Sequence, residues 1–566
     1  MRTLTLTRPW LGLSLLLVLF TGMLLLATGC VRGAVCRKDS GCPQEHVCRV
    51  GECFLASSLG QVGETCKGDF ACLSQRCKQG QCVSISQPSE AKDEAPTETN
   101  PSDAGQEGEA QPPNPCDQGF CASTLEVWGG PSDDNITSFH RSAQNDLIVT
   151  GYVTGAGRIG GRSIVAIGKR DGFVGKCKIS GKCDWVKPVG GNGIDSVHEA
   201  ATDSEGDVII VGSFTGSIHI PPSPIQNSPS AEDYNAFVGK FSKKDGMPKW
   251  FFGAGGFQQD TAQSIAVDSE DNIYVLGSFE RSIRFGSHSL QVTGPGALDV
   301  FLVKLNSEGV AQWAKKWGGN SHDTALKLLY NKQGHFVMAG AYRGTITLGG
   351  KTLPDAGKVT NTFLAKLDMD GKIQWAQSIN GKQDVIPNDL KMDTQGNFYI
   401  SGYYYENLET GTVKLSKTKP GQGFVAKFDT QGQVQWVQTL KGDSSLTRVK
   451  FDVMASGALA VSCQFKDSIQ LGQQTYTSPD QSISGIFGVM TPNGSWEQVW
   501  QIAPSQQGDK NIAAGQSVMA WPDGSLLLGG SFWESMTYSP SSTSSPLKGL
   551  GQLDIFIARF FLPQNP

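Results

Sequence analysis

An aspartate falls nine or ten residues after most of the tryptophans that recur along this 566-residue chain: Asp195, Asp260, Asp323, Asp384 and Asp509. Asp134 keeps the same distance from Thr124. A carboxylate repeated at one structural position can do two kinds of work. Gathered around an axis, the six would form a ring able to hold Ca²⁺ or a cationic ligand. Kept apart, each would accept backbone N–H groups within its own turn. The turn use is the expected one, and Ca²⁺ at such a ring is the only cofactor that the sequence suggests. Turns such as Asp203 to Asp207, Asp268 to Asn272 and Asp393 to Asn397 lack the distal Glu of a calcium-binding loop and read as hairpin turns. The seven histidines are scattered, with no pair at metal-ligand spacing, and no Gly-x-Ser-x-Gly nucleophile turn occurs.

The elements that would position these residues are strands. Between Trp250 and Trp313 the chain reads Ser264 to Asp268, turn, Ile273 to Phe279, a longer polar stretch, Val300 to Leu305, turn, and back to tryptophan. Short runs rich in Val, Ile, Phe and Tyr, bounded by Gly, Asp, Asn and Ser, predict four strands per unit. The tryptophan returns at Trp185, Trp250, Trp313, Trp375, Trp436 and Trp500, a period of 61 to 65 residues. Counting the earlier run Leu147 to Val153, the second strand occurs seven times. A fixed period with four strands per repeat predicts a β-propeller, all-β and seven-bladed. Thr124 to Gly130 reads as a fourth strand with no first three before it. Asp554 to Phe560 reads as a third strand with no fourth after it. Pairing them would close the ring and remove its exposed edges.

The units resemble the SBBP family of β-propeller repeats, through Val275 to Phe279 with Ser282 to Gly286, through Gly340 to Tyr342 with Thr345 to Gly349, and through the Phe301 to Trp313 hairpin. That resemblance implies architecture and is silent on activity. Ala365 to Trp375 resembles the tryptophan-docking motif of quinoprotein dehydrogenases. Those enzymes use eight blades, and many carry adjacent cysteines beside the quinone, neither of which is expected here.

Ahead of the repeats, Arg2, Arg8 and the apolar run Leu11 to Leu26 read as an export signal over 1–29. Ala27-Thr28-Gly29-Cys30 resembles a bacterial lipobox, which implies cleavage before Cys30 and its acylation. With Val31 next, the resemblance implies outer-membrane retention, facing the periplasm or the cell surface. Residues 30–83 hold two four-cysteine modules, Cys36, Cys42, Cys48, Cys53 and Cys66, Cys72, Cys77, Cys82. Segments so small and poor in apolar residues need staples. Spacings of four or five residues and an exported chain favour disulfides over zinc. Three connectivities per module stay open. The spacing resembles small Dickkopf-like cysteine-rich modules. Residues 84–115 carry seven acidic residues against one Lys with repeated Pro, Ser, Thr and Gln, and are expected to be a disordered tether. The propeller then spans 116–566. Cys116 with Cys121, and Cys177 with Cys183, are expected hairpin disulfides, leaving Cys463 as a small buried hydrophobe.

Net charge is −5, charged residues are 18%, and no basic cluster occurs, so nucleic acid is not an expected partner. Two functions fit: an envelope-anchored binding or scaffold module for an envelope protein or glycan, and an exported enzyme (a hydrolase, or quinoprotein-like) working at the channel mouth. A non-repeating cluster of ionisable residues in one or two blades would favour the enzyme. None stands out in the sequence, and the binding module is the expectation. Recognition is expected on the face bearing the long second-to-third-strand connections, where Tyr403, Tyr404, Tyr405, Trp533 and Tyr538 could anchor a ligand.

Overall fold

The computed structural model describes the segments 46–49, 52–55, 76–78 and 81–83, and residues 121–562 apart from 224–225, 228–231, 417–420, 443–447, 480–481, 506–511 and 539–545. Contacts divide the chain into two units, 1–108 and 109–566. In the first, His46–Arg49 pairs with Glu52–Leu55 and Arg76–Lys78 with Gln81–Val83. These hairpins set Cys48 opposite Cys53 and Cys77 opposite Cys82 along the backbone. Cys30, Cys36, Cys42, Cys66, Cys72 and Cys116 lie outside the described residues, as do the export signal and the tether.

The second unit is all-β and built from four-stranded antiparallel sheets. Thr261–Val267, Ile273–Glu280, Leu298–Leu305 and Ala311–Trp317 form one of four separate sheets of this kind. A fifth set, Val385–Met392 to Val434–Gly442, is extended to six strands by a hairpin, Ser468–Leu471 with Gln474–Thr477. The last strands share one eight-stranded sheet. Its edge is Cys121–Trp128, which pairs antiparallel with Leu547–Phe561, Trp128 opposite Ile555 and Leu125 opposite Ala558. The expected pairing of the two chain ends is therefore present.

The second strands are buried almost throughout because they are covered on both faces. Ile273 to Phe279 are all buried, and Tyr274 and Phe279 are fully so. Tyr274 stacks on Phe336 of the next unit at 4.4 Å, so the core runs from unit to unit. The recurring tryptophans have a matching use. Trp185 Nε1 donates to Lys243 O and Trp250 Nε1 to Ser307 O, each at 3.1 Å, in the hairpin turn of the following unit. Gly309 in that turn has φ +79°, and a Cβ on it would stand 3.0 Å from the Trp250 ring. The glycine is needed both for its left-handed backbone and for the indole's approach. Trp250→Ala removes a half-buried ring and a hydrogen bond, and should cost about 2–4 kcal/mol in denaturant unfolding. A loss below about 1 kcal/mol would show that the ring does not join the units.

The long connections between second and third strands are mostly small hairpins. Ala156–Ile159 pairs with Arg162–Val165, Ser282–Phe285 with His288–Gln291, and Asn407–Thr410 with Val413–Ser416. Several clasp the preceding unit: Gly129 bridges Arg158, Gly191 bridges Ile218, Gly318 bridges Thr347 and Asn380 bridges Glu409. These connections thus extend the outer strands across the joints instead of standing free. Tyr404 is buried, its hydroxyl donating to Gln422 Oε1 at 2.9 Å, and only Tyr405 of that trio is exposed, with Tyr403 against it edge-on. Trp533 is half-buried, and the Tyr538 side chain lies outside the described residues.

Cys177 and Cys183 are joined in a disulfide across their hairpin turn, as the spacing predicts. Cys463 stands opposite Ile486, where the other units have glycine opposite phenylalanine. It is fully buried, and burial pushes its thiol up to about 12, which makes it a packing residue. Among the described residues no helix is long and apolar enough to cross a membrane.

Candidate functional site

The innermost strands are interrupted in the same way. Register shifts fall between Ile136 and Ser138, Val197 and Glu199, Ala262 and Ser264, Ala325 and Lys327, Pro387 and Asp389, and Gly515 and Ser517. Each shift is a β-bulge with one extra residue: Thr137, His198, Gln263, Leu326, Asn388 or Gln516. A bulge breaks the alternation of faces and re-aims side chains. Here the extra residues and their successors line one cavity of about 100 Å³ on the axis of the sheets. Arg448–Val453 has no bulge and contributes Lys450 to the same cavity.

The side chains gathered there do not repeat. Lys327 Nζ donates to Glu199 Oε1, and Glu199 Oε2 accepts the Ile265 N–H at 3.2 Å. Lys391 Nζ lies 3.5 Å from Asp452 Oδ1. Lys450 Nζ donates to Asn388 O at 2.6 Å, and Asn388 Oδ1 accepts the Val449 N–H at 3.1 Å. Burial pushes the Asp389 carboxyl up, but Lys450, Lys391 and Lys327 outweigh it and hold it below the usual carboxylate range. Burial drives the Lys450 ammonium down, and Lys327 and Lys391 add to this against Asp389. Lys391 is held above its ordinary value because Asp452, Asp389 and Glu199 overcome its burial. His140 is lowered to about 4, chiefly by burial, and His198 is lowered by burial too, so both rings are neutral at neutral pH. His198 Nδ1 lies 2.9 Å from Ala262 O and must carry the proton there, since a carbonyl only accepts. The result is a compensated mixed-charge network of three lysines and three acids that supports binding of polar groups. Among the described residues no cluster of three or more His, Cys, Asp or Glu could hold a metal.

The network opens on the side of the short turns into a cavity of about 840 Å³. Arg141, Lys332, Lys391, Asp268, Asp452 and Tyr330 stand on its walls. The long hairpin connections lie at the other ends of the strands.

The aspartates singled out by spacing are elsewhere. Asp134, Asp195, Asp260 and Asp323 are buried where one unit meets the next, and do not line these cavities. Asp195 Oδ2 accepts the Gly191 N–H at 2.8 Å, Asp260 Oδ2 that of Gly256 at 2.7 Å, and Asp323 Oδ2 that of Gly319 at 2.7 Å. Asp134 Oδ1 accepts the Thr154 N–H at 3.3 Å, and Asp384 Oδ1 the Thr360 N–H at 2.6 Å. Backbone acceptance is therefore what these five do. Asp509 lies outside the described residues. Sequence reading missed the channel cluster because Glu199, Lys327, Asp389 and Lys450 occupy one structural position with different residue types. A search for recurring residues passes over them. The available signal was an ionisable residue inside an otherwise apolar inner strand.

A family model described as a beta-propeller repeat, SBBP, matches residues 252–278. A WD repeat-containing protein of Acanthamoeba polyphaga mimivirus is 24% identical over 360 residues, covering 50% of this chain and 25% of its own length. The regulatory protein FlaEY of Caulobacter vibrioides is 26% identical over 183 residues, 31% of this chain and 19% of that protein. The chain thus spans a quarter or less of these curated relatives. Among solved structures, the Pan2 WD40 domain of Neurospora crassa covers 79% of this chain and 96% of its own, with TM-score 0.38 and 10% identity. A quinohemoprotein alcohol dehydrogenase of Pseudomonas putida covers 79% and 77%, with TM-score 0.37 and 12% identity. With its four-stranded sheets arranged unit against unit, the chain is a β-propeller protein.

Proposed function

We propose that the chain is a lipid-anchored binding module of a bacterial cell envelope. Its seven-bladed propeller takes a polar ligand bearing both charges into the channel from the short-turn side. The observation that carries this is the non-repeating cluster of Glu199, Lys327, Asp389 and Lys391 on bulged inner strands with Lys450 and Asp452 on the unbulged one. Desolvated charges of both signs are costly to keep in a merely structural pore. A zwitterionic group can replace their mutual contacts one for one. The clasping hairpins take up most of the long connections, which leaves the channel mouth as the large concave surface. Full chain carrying Cys30→Ala, offered envelope material, should retain a ligand that the charge-neutral pair Glu199→Gln with Lys327→Met does not. Equal retention by both would refute the channel site.

Support for seven blades lies in the eight-stranded sheet. Its two halves meet where Trp496–Pro504 touches the far end of Leu526–Tyr538, through Ile502, Ala503 and Pro504, and in a two-residue parallel contact of Ile483 and Ser484 with Ile512 and Ala513. This edge contact matches the hairpin clasp Lys441 to Gln470 of the preceding unit. The anchor rests on the lipobox resemblance at Cys30. A fatty-acid probe should label the wild type and not Cys30→Ala, and equal labelling would remove the anchor from the proposal.

One observation favours the enzymatic alternative. Lys450 is a half-buried lysine with a lowered ammonium beside a carboxylate, the setting in which lysine attacks carbonyl carbon. Borohydride added with an aldehyde- or ketone-bearing extract would then fix mass on Lys450, and its absence leaves the binding reading.

A further inference from the structure

The aspartate at the start of each inner strand meets the residue that opens the third strand of the preceding unit. Asp195 faces Asp171 across Gly190 and Gly191, Asp323 faces Asp299 across Gly318 and Gly319, and Asp134 faces Asp554 across Gly129. Asp260 meets Asn235, and Asp384 lies at the joint of Asn361. The meeting is close and fixed by glycine. A Cβ on Gly129 would stand 2.6 Å from Asp554 Oδ1 and 2.8 Å from Asp134 Oδ2. One on Gly255 would stand 2.0 Å from Asn235 Oδ1 and 2.8 Å from Asp260 Oδ2. This is why the glycine pairs recur: the first glycine leaves room for two carboxyls, and the N–H of the second donates to one of them, as Gly191 does to Asp195.

In the three Asp–Asp joints the donors do not satisfy every carboxyl oxygen. Asp171 accepts from the N–H groups of Ile167 and Gly168. Asp554 accepts from those of Leu550 and Gly551. Asp299 accepts from Thr293 and from Lys316 Nζ at 2.8 Å. Asp195 Oδ1 and Asp323 Oδ1 are buried with no partner among the described residues, as are Asp299 Oδ1 and Asp554 Oδ1. Two buried carboxylates cannot both stay ionised at such an approach. The chain holds its own comparison: at the joints of Asn235 and Asn361 an amide stands in the place of the third-strand carboxyl, and there burial, with Glu280 and Asp233 behind it, raises Asp260 to about 7 without a facing acid.

We propose that each Asp–Asp joint is closed by one shared proton, carried by Asp134, Asp195 or Asp323 and donated to the third-strand carboxylate of the neighbouring unit. The three joints together make the ring's cohesion pH-dependent. Burial first, then the facing acid, raises Asp195 to about 7, Asp323 to about 8 and Asp134 to about 6. The other charged groups facing them are Arg170 near Asp195, Lys316 on Asp299, and Asp133 near Asp134. A carboxyl raised by folding binds a proton that the unfolded chain releases. Its contribution is intact below the ordinary carboxylate value, declines above about pH 4, and is lost once pH passes about 8.

The test is urea unfolding of the full Cys30→Ala chain between pH 5 and 9, with EDTA or with Ca²⁺, against the triple variant Asp134→Asn, Asp195→Asn, Asp323→Asn. The three single variants serve if the triple does not fold. For each proton held, the unfolding constant of the parent should rise up to about tenfold per pH unit between pH 5 and 6. The triple variant should be shallower by three such factors and each single variant by one, with no effect of Ca²⁺. Parallel pH profiles for parent and variants would overturn the proposal. So would Ca²⁺ stabilising the parent but not the variants, since a divalent cation would then hold the joint.

Discussion

Deleting residues 116–130 should destroy the cooperative unfolding of the propeller, lowering its midpoint by well over 10 °C or leaving it insoluble. The deleted strand supplies the outer pairing of Leu547–Phe561 along seven residue pairs from Ile555 opposite Trp128 to Phe561 opposite Cys121. It also supplies Trp128, which is 1% exposed and packs with Ile136, Ile555 and Ile557. Loss of one buried tryptophan alone costs about 3–5 kcal/mol. The deletion adds an open sheet edge along Leu547–Phe561, a template for aggregation. Thermal unfolding checks this: a truncated chain that melts like the parent would show that the terminal pairing does not hold the ring.

The second large effect is expected at Asp389. It is 8% exposed and faces Lys450, Lys391 and Lys327. Asp389→Asn leaves these three cations with one fewer counter-charge in a desolvated channel, and should cost about 3–5 kcal/mol. Adding Lys450→Met to it should recover most of the loss, because the uncompensated ammonium is then gone. Failure of the double variant to recover stability would mean that Asp389 acts through its own backbone contact to Leu390 N and not through the lysines.

How much of this was open to the sequence depends on whether a feature repeats. Trp185, Trp250 and the Gly-Gly turns at 129–130, 190–191, 255–256 and 318–319 recur because these joints use the same indole and the same empty Cβ, so periodicity exposed both the units and their boundaries, although Asn380 and Lys441 replace the first glycine at two others. The terminal strand pair was legible for the same reason, since Trp128 aligns with Trp317. The long connections were legible in part: their Ile-x-Phe-Gly patterns read as small edge hairpins, the alternative to variable recognition loops, but the clasps that Arg158, Ile218 and Glu409 make on the preceding unit are backbone bridges that leave no residue signature. The aspartates were seen, but not their partners, because Asp171, Asp299 and Asp554 come from the neighbouring unit and only the fold brings them near. The channel cluster was hidden by its lack of repetition, and by bulges such as that at His198, which no strand alternation predicts.

The proposed function places recognition in the channel. Its most direct measurement is the amount of envelope-derived ligand retained by three forms of the Cys30→Ala chain: the parent, Glu199→Gln with Lys327→Met, and Tyr405→Ala on the hairpin face. The channel pair should lose retention by tenfold or more while Tyr405→Ala keeps that of the parent. Loss in Tyr405→Ala with full retention by the channel pair would contradict this placement.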